Sequence, residues 1–506
     1  MSDFFSPLRP LFAPTAMSIG WPVGMLVGML VGMLIGTPAI GQEPGRPGSP
    51  PAAAAKSTAE STAESTVKLP PVLGQRRAGD DWPQFLGPNR DGRSRETGVN
   101  TDWKNRPPRL VWRLPLGESY SMGVTSRGRY VQFDRQDNDG VVTCLNAETG
   151  ERLWEYRDPY TYTDMYGYNS GPRCSPIVDG PHVFTYGVTG LLTCLRLADG
   201  QLVWKVDTAQ QFGVVQNFFG VGSAPVIYGD LLIAMVGGSP PESQQLAPGQ
   251  LDRVVGNGTG IVAFRKQTGE VVYKITDELA SYASLQLAHH GGRDWCFAFA
   301  RDALVAFDPA TGKVDFRFPW RDRKLESVNA ATPVVFENRV LISETYGPGT
   351  ALLEFRPGAF DVVWKDRESP RNKILQCHWC TPVLDNGFLY ASSGRHTQNA
   401  VLKCVEWKSG AVKWSEPDLT RGSLLSADGH LIFLGEDGGL KLIRANPERY
   451  ELVSELDWSR VPGASAGEQG PSYPAWAPPI LSHGLLYVRG NDALYALELI
   501  PASGGS

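Results

Sequence analysis

The stretch Cys144-Leu145-Asn146-Ala147-Glu148-Thr149-Gly150-Glu151-Arg152-Leu153-Trp154 returns along the chain in a fixed register. It reads as a strand, a tight turn on Asn-x-x-Thr-Gly, and a second strand carrying a large aromatic. Copies stand at Cys194–Trp204, Ala263–Tyr273, Ala306–Phe316 and Cys404–Trp414, each with a small residue ten positions before an aromatic and a glycine at the same place between them. Weaker copies run Leu352–Trp364, with a longer turn, and Leu442–Leu452, where Asn446-Pro447 replaces Thr-Gly. Upstream of most copies a proline opens an apolar strand: Pro176, Pro225, Pro333, Pro382 and Pro479. Proline lacks an N–H and suits a strand's first residue rather than its middle. Four short strands per unit, repeated along the chain, imply propeller blades.

The units run Gly123–Tyr156, Cys174–Val206, Ser223–Ile275, Ser284–Phe318, Ala331–Lys365, Cys380–Ser415 and Gly422–Leu456, with a last one from Ala477. That last unit carries Ala496 at the small position but has no outer aromatic strand after it. Arg109-Leu110-Val111-Trp112-Arg113-Leu114 is an outer strand without a blade. Pairing the two removes both free edges. The expected fold is therefore all-β, an eight-bladed β-propeller over residues 105–500, closed by an N-terminal strand in the last blade. Trp112, Trp154, Trp204, Trp364 and Trp414 fall on outer strands, where each can pack against a neighbouring blade as scaffold.

Outside the repeats, the apolar run before Gly36 and the small residues Ala39 and Gly41 mark residues 1–41 as an export signal cleaved before Gln42, with an uncleaved membrane anchor as the alternative. Residues 42–80 are Pro, Ala, Ser, Thr and Glu with little to bury, the composition of a disordered tether. Residues 81–104 are an aromatic, turn-rich, ordered lead-in, and 501–506 a short tail. The net charge of −5 and the absence of Lys/Arg runs argue against nucleic acid as a partner. Membrane contact is expected only through the N-terminal segment, if it is retained. Of seven cysteines, Cys144, Cys194 and Cys404 share one repeat position and read as small buried side chains. Cys174, Cys296, Cys377 and Cys380 remain, and Cys377-His378-Trp379-Cys380 has the spacing of a redox or metal pair without a second one to accompany it; a disulfide is its plainest fate in an exported protein.

The repeated phrase, small-aliphatic-Asp/Asn-x-x-Thr-Gly-x-x-x-Trp, resembles that of pyrroloquinoline-quinone (PQQ) enzymes and of their non-enzymatic relatives, among them the propeller lipoprotein of outer-membrane β-barrel assembly. Asp81 to Gly92 resembles the segment that opens many exported propellers of this kind. The resemblance implies the fold over residues 105–500 and leaves function open between the branches. Quinoprotein alcohol dehydrogenases carry adjacent bridged cysteines over the quinone and a Glu, Asn, Asp set around calcium. This sequence has no Cys-Cys, and that set finds no matching positions. The lipidation cysteine of the assembly branch is missing as well.

Ligand sites on propellers gather in the loops that precede the inner strands. Asp158 to Asn169 supplies Tyr166, Tyr168 and Asn169, with Arg173 just after; Gln211 to Phe219 supplies Asn217 and Phe218. His378 and Trp379 precede another inner strand, and Ser472 to Trp476 brings Tyr473 and Trp476. Together they form an aromatic basin suited to a flat ligand, a sugar or a peptide. Asp134 to Gly140 lacks the spacing of a calcium loop, and His289-His290 sits at a turn. No metal ligands are assigned. The sequence points to an exported, non-catalytic binding or scaffold module whose partner is a protein or a cell-envelope component. The alternatives are a PQQ- and calcium-dependent dehydrogenase with a divergent site, or a polysaccharide binder.

Overall fold

The computed structural model describes residues 68–246, 248–366 and 372–502. The expected export signal, most of the tether and the last residues of the tail lie outside the described residues. Seven four-stranded antiparallel blades follow one another from Val124–Ser126 to Leu452–Glu455, with the order inner to outer in each. The eighth combines Ile480–Ser482, Leu485–Arg489 and Ala493–Glu498 with Arg109–Pro115 as its outermost strand. Trp112 stands opposite Ala496 in that pairing, so the ring closes strand to strand.

The repeat phrase is a joint between blades. Within a blade the small residue faces the aromatic across the outer strand pair: Cys144 opposite Trp154, Cys194 opposite Trp204, Ala263 opposite Tyr273 and Cys404 opposite Trp414. The register shifts immediately after each pair, which twists the outer strand. The indole then reaches the next blade. Trp154 Nε1 donates to the Leu197 carbonyl at 3.0 Å, Trp204 to Lys266 at 3.0 Å, Trp364 to Trp407 at 2.9 Å and Trp414 to Asn446 at 2.8 Å. Trp112 closes the ring in the same way on Ala147, at 2.9 Å. In the third blade the Tyr273 hydroxyl does this, donating to Pro309 at 2.8 Å.

The turn supplies the seat. Asn146 Oδ1 accepts from the N–H groups of Glu148 and Thr149, and Gly150 N–H returns to the Asn146 carbonyl. Gly200 has φ of +73°, and a Cβ there would lie 2.4 Å from Trp154 Cε3. Only glycine satisfies both demands, the left-handed backbone and the ring lying on it.

Blade seven departs from the pattern. The partner of Leu442 is Ser454, not Leu452, so a serine holds the aromatic position. The lead-in docks there instead: Ser454 Oγ donates to the Thr101 carbonyl at 2.5 Å and accepts from Trp103 N–H, and Trp103 is buried.

The rest of the lead-in closes one end of the channel. Trp82 bridges to Thr125 of blade one, Pro83 accepts from Val178 of blade two, Gly92 accepts from Ser426, and Arg93–Ser94 runs parallel to the inner strand of blade seven. Arg93 also pairs with Asp385 of blade six at 2.9 Å. All of these contacts lie on or beside the turns that leave the inner strands, the face opposite the loops entering them. Its start is fastened at blade eight. His483 Nε2 lies 3.0 Å from Asp81 Oδ1 and Nδ1 lies 3.0 Å from the Arg77 carbonyl, so both nitrogens meet acceptors. Burial opposes charge on His483, but Asp81 and the carbonyl outweigh it and raise its pKa. Asp81 is lowered in turn: burial pushes its carboxyl up, but the hydrogen bonds from His483, the Arg127 N–H and Ser126, with the His483 charge, together outweigh it.

Three outcomes follow from these contacts. Deleting residues 105–117 removes the closing strand and is expected to abolish cooperative urea unfolding; a deletion protein with the parental midpoint refutes the closure. Trp154→Ala should cost about 3–5 kcal/mol, as for other large-to-small changes in a core, and Gly200→Ala should also destabilise through the clash and strained φ. Chemical denaturation measures both, and a change within error for Trp154→Ala contradicts the joint. The His483 latch contributes fully below the unfolded histidine value of about 6.5 and is lost as pH rises through its raised folded value, whereas the Asp81 contribution is present above about 3.9 and lost as pH falls through its lowered folded value. Proteolysis of the lead-in should therefore accelerate as pH rises above about 6.5, and His483→Gln should flatten that dependence.

Candidate functional site

Above the lead-in the channel is a blind cup of about 770 Å³ with Phe85 and Leu86 among its lining residues. Eight of the ten residues expected to bind line it: Tyr166, Tyr168, Arg173, Phe218, His378, Trp379, Tyr473 and Trp476. The two amides do not. Asn169 turns away, donating to the Ser119 carbonyl at 3.1 Å and to Asn491 at 3.3 Å. Asn217 donates to the Ala280 carbonyl and faces a second, smaller cavity. Both side chains complete loop backbones, where a short amide finds partners before any ligand arrives.

The aromatic rings form a continuous wall. Trp476 is the hub, 4.9 Å from both Trp379 and Tyr120, with Tyr168 at 5.9 Å and Tyr473 at 6.3 Å, centroid to centroid. Tyr166 bridges to Phe218 and Phe219 at 5.7 and 5.8 Å. Phe219 N–H donates to the Tyr282 hydroxyl, which fixes that side. Tyr166, Tyr168 and Tyr473 stand at the rim, 54%, 49% and 60% exposed.

Behind the wall lies a buried ion pair. Arg421 Nε and Nη2 grip Glu436 at 3.0 and 2.6 Å, and Glu436 also accepts from Thr397 at 2.6 Å and from Trp476 Nε1 at 2.9 Å. Burial pushes the Glu436 carboxyl up, but these hydrogen bonds bring it below the ordinary range. The Arg421 guanidinium lies 4.4 Å over the Trp379 ring, and its Nη1 donates to the Arg395 carbonyl and to His378 Nδ1 at 3.3 Å. An arginine only donates, so His378 Nδ1 must accept and its proton sits on Nε2, 3.2 Å from the Tyr346 hydroxyl. Burial first, then Arg421 and Arg395, hold the His378 pKa down at about 3, so it stays neutral. Glu344 carries Tyr346 into the wall by accepting from the N–H groups of Tyr346, Gly347 and Gly349. Arg173 is likewise spent inside: it donates to Asp164 at 2.6 Å and to the carbonyls of Gly171 and Asn169, and it lies over Tyr120.

Tyr120, Tyr282, Tyr346, Arg395, Arg421 and Glu436 were missing from the sequence-based set. Tyr346, Arg395 and Glu436 sit in connections between the second and third strands of their blades, which open on the same face as the loops entering the inner strands. The interrupted spacing at Glu344–Gly349 and Gly394–Ala400 is the signal that would have found Tyr346 and Arg395.

All seven cysteines are buried free thiols. The local bridge expected at Cys377-His378-Trp379-Cys380 is not formed: Cys377 packs into the apolar core of blades five and six while Cys380 Sγ donates to the Ser392 carbonyl at 3.2 Å. His289 has a carboxylate neighbour, Asp294 at 2.7 Å across the turn.

PQQ is a planar tricarboxylate that quinoproteins hold with a calcium ion. The cup offers it flat aromatic walls, yet Arg421 and Arg173 already face carboxylates and Arg395 lies 3.9 Å from Glu326. No group of three or more His, Cys, Asp or Glu side chains among the described residues is placed to hold a metal ion. The residues present do not fit the quinone with its calcium.

Comparison with known proteins adds kinship. Outer membrane protein assembly factor BamB of Yersinia pestis is 20% identical over 363 residues, 70% of this chain and 82% of that protein. Its counterpart from Shewanella oneidensis is 20% identical over 417 residues, 78% of this chain and 89% of that protein. The crystal structure of BamB from Moraxella catarrhalis superposes with a TM-score of 0.51 at 13% identity, over 77% of this chain and 97% of that one. Quinohemoprotein alcohol dehydrogenase from Comamonas testosteroni superposes at 0.56 and 13% identity, over 84% and 82%, a likeness of fold. A family model described as outer membrane protein assembly factor BamB matches residues 107–239, 138–378 and 254–449, the stretch that carries most of the tryptophan joints, and the protein belongs to that family.

Proposed function

We propose that this protein is an exported, non-catalytic propeller that binds a partner protein of the cell envelope through the aromatic mouth of its channel. The observation that carries the reading is the rim of Tyr166, Tyr168 and Tyr473, about half exposed or more, standing on a packed layer of Phe218, Phe219, Trp379 and Trp476. Tyrosine and tryptophan presented on a rigid support are the usual anchors of protein interfaces, because few torsions are lost when they are covered. Nothing in the cup resembles acid–base machinery. His378 is held neutral by burial and by the nearby charges of Arg421 and Arg395, and Glu436 is saturated by Arg421, Thr397 and Trp476. The assembly-factor role named for its relatives accords with this reading, as does the sequence-based expectation of export.

The test is in two parts. The envelope partner is captured by crosslinking, purified, and titrated with the full chain. Tyr166→Ala or Trp379→Ala should weaken binding about thirtyfold, equivalent to about 2 kcal/mol at an interface hot spot, with melting unchanged for the rim variant Tyr166→Ala. In parallel the chain is titrated with PQQ and calcium and assayed for dye reduction by alcohols and sugars. Saturable binding with turnover would overturn the reading, as would partner binding indifferent to both substitutions.

A further inference from the structure

Beside the cup, among the mouth loops of blades two to four, lies a second cavity of about 270 Å³. Its walls are mostly apolar, with Val188, Val214, Leu251 and Val254 among them, and the exposed Gln216 stands on its lining. Two polar side chains of this lining are buried and unfinished. Arg301, 2% exposed, donates from Nη2 to Asp252 at 2.9 Å and to the Leu325 carbonyl at 3.2 Å, but its buried Nη1 has no partner among the described residues. Tyr162, 5% exposed, has a hydroxyl in the same condition.

Leaving buried donors unpaired is expensive, and most expensive for a charged one. The charge on Arg301 is also only partly answered, because Asp252 is shared with Arg321, whose Nη2 lies 2.7 Å away. The other buried or half-buried amide and hydroxyl groups deep in the lining are bonded: Asn217 Nδ2 donates to Ala280, its Oδ1 accepts from Phe218 N–H, and Ser281 Oγ accepts from Asn329 N–H. The buried donors without partners among the described residues are therefore two, one cationic, at a mostly apolar hollow with room for several waters.

We propose that this cavity is a carboxylate-binding site. One or both oxygens accept from Arg301 Nη1 and Tyr162 Oη, and a short apolar body covers the valine and leucine walls. Binding needs no covalent step. The carboxylate can come from a free aliphatic acid or from the C-terminus of a polypeptide ending in an apolar residue; the chemistry recognised is the same.

The experiment is calorimetric titration of the full chain with hexanoate, hexan-1-ol, and an acetylated Ala-Val dipeptide as free acid and as amide. Saturable one-to-one binding of hexanoate is expected, at least about tenfold tighter than hexan-1-ol, because a charge-assisted bond is lost in the alcohol. Preference for the dipeptide acid over hexanoate assigns the site to chain termini, and the reverse to free acids. Arg301→Met should weaken hexanoate at least about tenfold, and Tyr162→Phe by a smaller factor. If Arg301→Met does not fold, Tyr162→Phe and the alcohol comparison decide. Absence of saturation by about 10 mM hexanoate, ten times a millimolar Kd, overturns the proposal. Equal binding of hexanoate and hexan-1-ol, or undiminished binding in the folded variants, overturns it too.

Discussion

One contact, repeated around the ring, underlies the architecture: an indole from one blade lying on the turn glycine of the next and donating its N–H to a carbonyl of that turn. Each half of the phrase is meaningless alone. Asn146 bends the chain so that Gly150 takes φ of +72°, which exposes a flat backbone surface, and Trp112 fills it. The hydrogen bond contributes about 1 kcal/mol and the buried ring a few more. A single blade presents both an unfilled seat and an unseated ring, so stability comes from neighbours and only a closed ring leaves none unpaired. The first seat, on blade one, is filled by Trp112, a residue that precedes every blade in sequence yet belongs to the last. Closure and joint are therefore one device.

Where the joint fails, the lead-in takes over. Ser454 cannot cover a neighbour as tryptophan does, and Thr101 and Trp103 dock on it. The same segment then crosses the channel floor, so that a repair at the rim of blade seven continues into the plug beneath the cup. With the lead-in fastened at His483 and Asp385, its Phe85 and Leu86 line the cup from the side opposite the mouth loops.

The blades were legible because a hairpin and its register are local: the ten-residue offset from Cys144 to Trp154 encodes both the turn and the cross-strand pair. The offset misled at Leu442, where Asn446-Pro447 shifts the partner from Leu452 to Ser454. The mouth was only half legible. Loops entering inner strands were recognisable as breaks in the repeat, whereas Glu436 lies in a short turn, Gly435 to Gly439, that looks like any hairpin. Its meaning comes from Arg421, fifteen residues earlier, and from Trp476, forty later. Asn169 and Asn217 show the opposite error: amide groups in a ligand-facing loop read as binding groups until the backbone that consumes them is visible.

The two cavities at this face differ in how their charge is balanced, and that difference governs what each can hold. In the cup, Arg421 and Arg173 are bonded to carboxylates buried with them, so the surface presented is aromatic and close to neutral. In the side cavity, Arg301 leans on a carboxylate that is partly exposed and shared, and one of its nitrogens stays free. Phe218 is the partition. It lines the cup and touches Tyr166 at the rim, while the Arg301 guanidinium lies 5.9 Å over its ring. A cation over a desolvated ring is worth about 2 kcal/mol, comparable to one good hydrogen bond to a charged group. An anion at Arg301 Nη1 competes for the charge that Phe218 now feels, and Tyr166 rests on that same ring. The rim of the cup and the buried arginine are thus joined through one phenyl group, which makes the partition itself the element that either occupant would press on first.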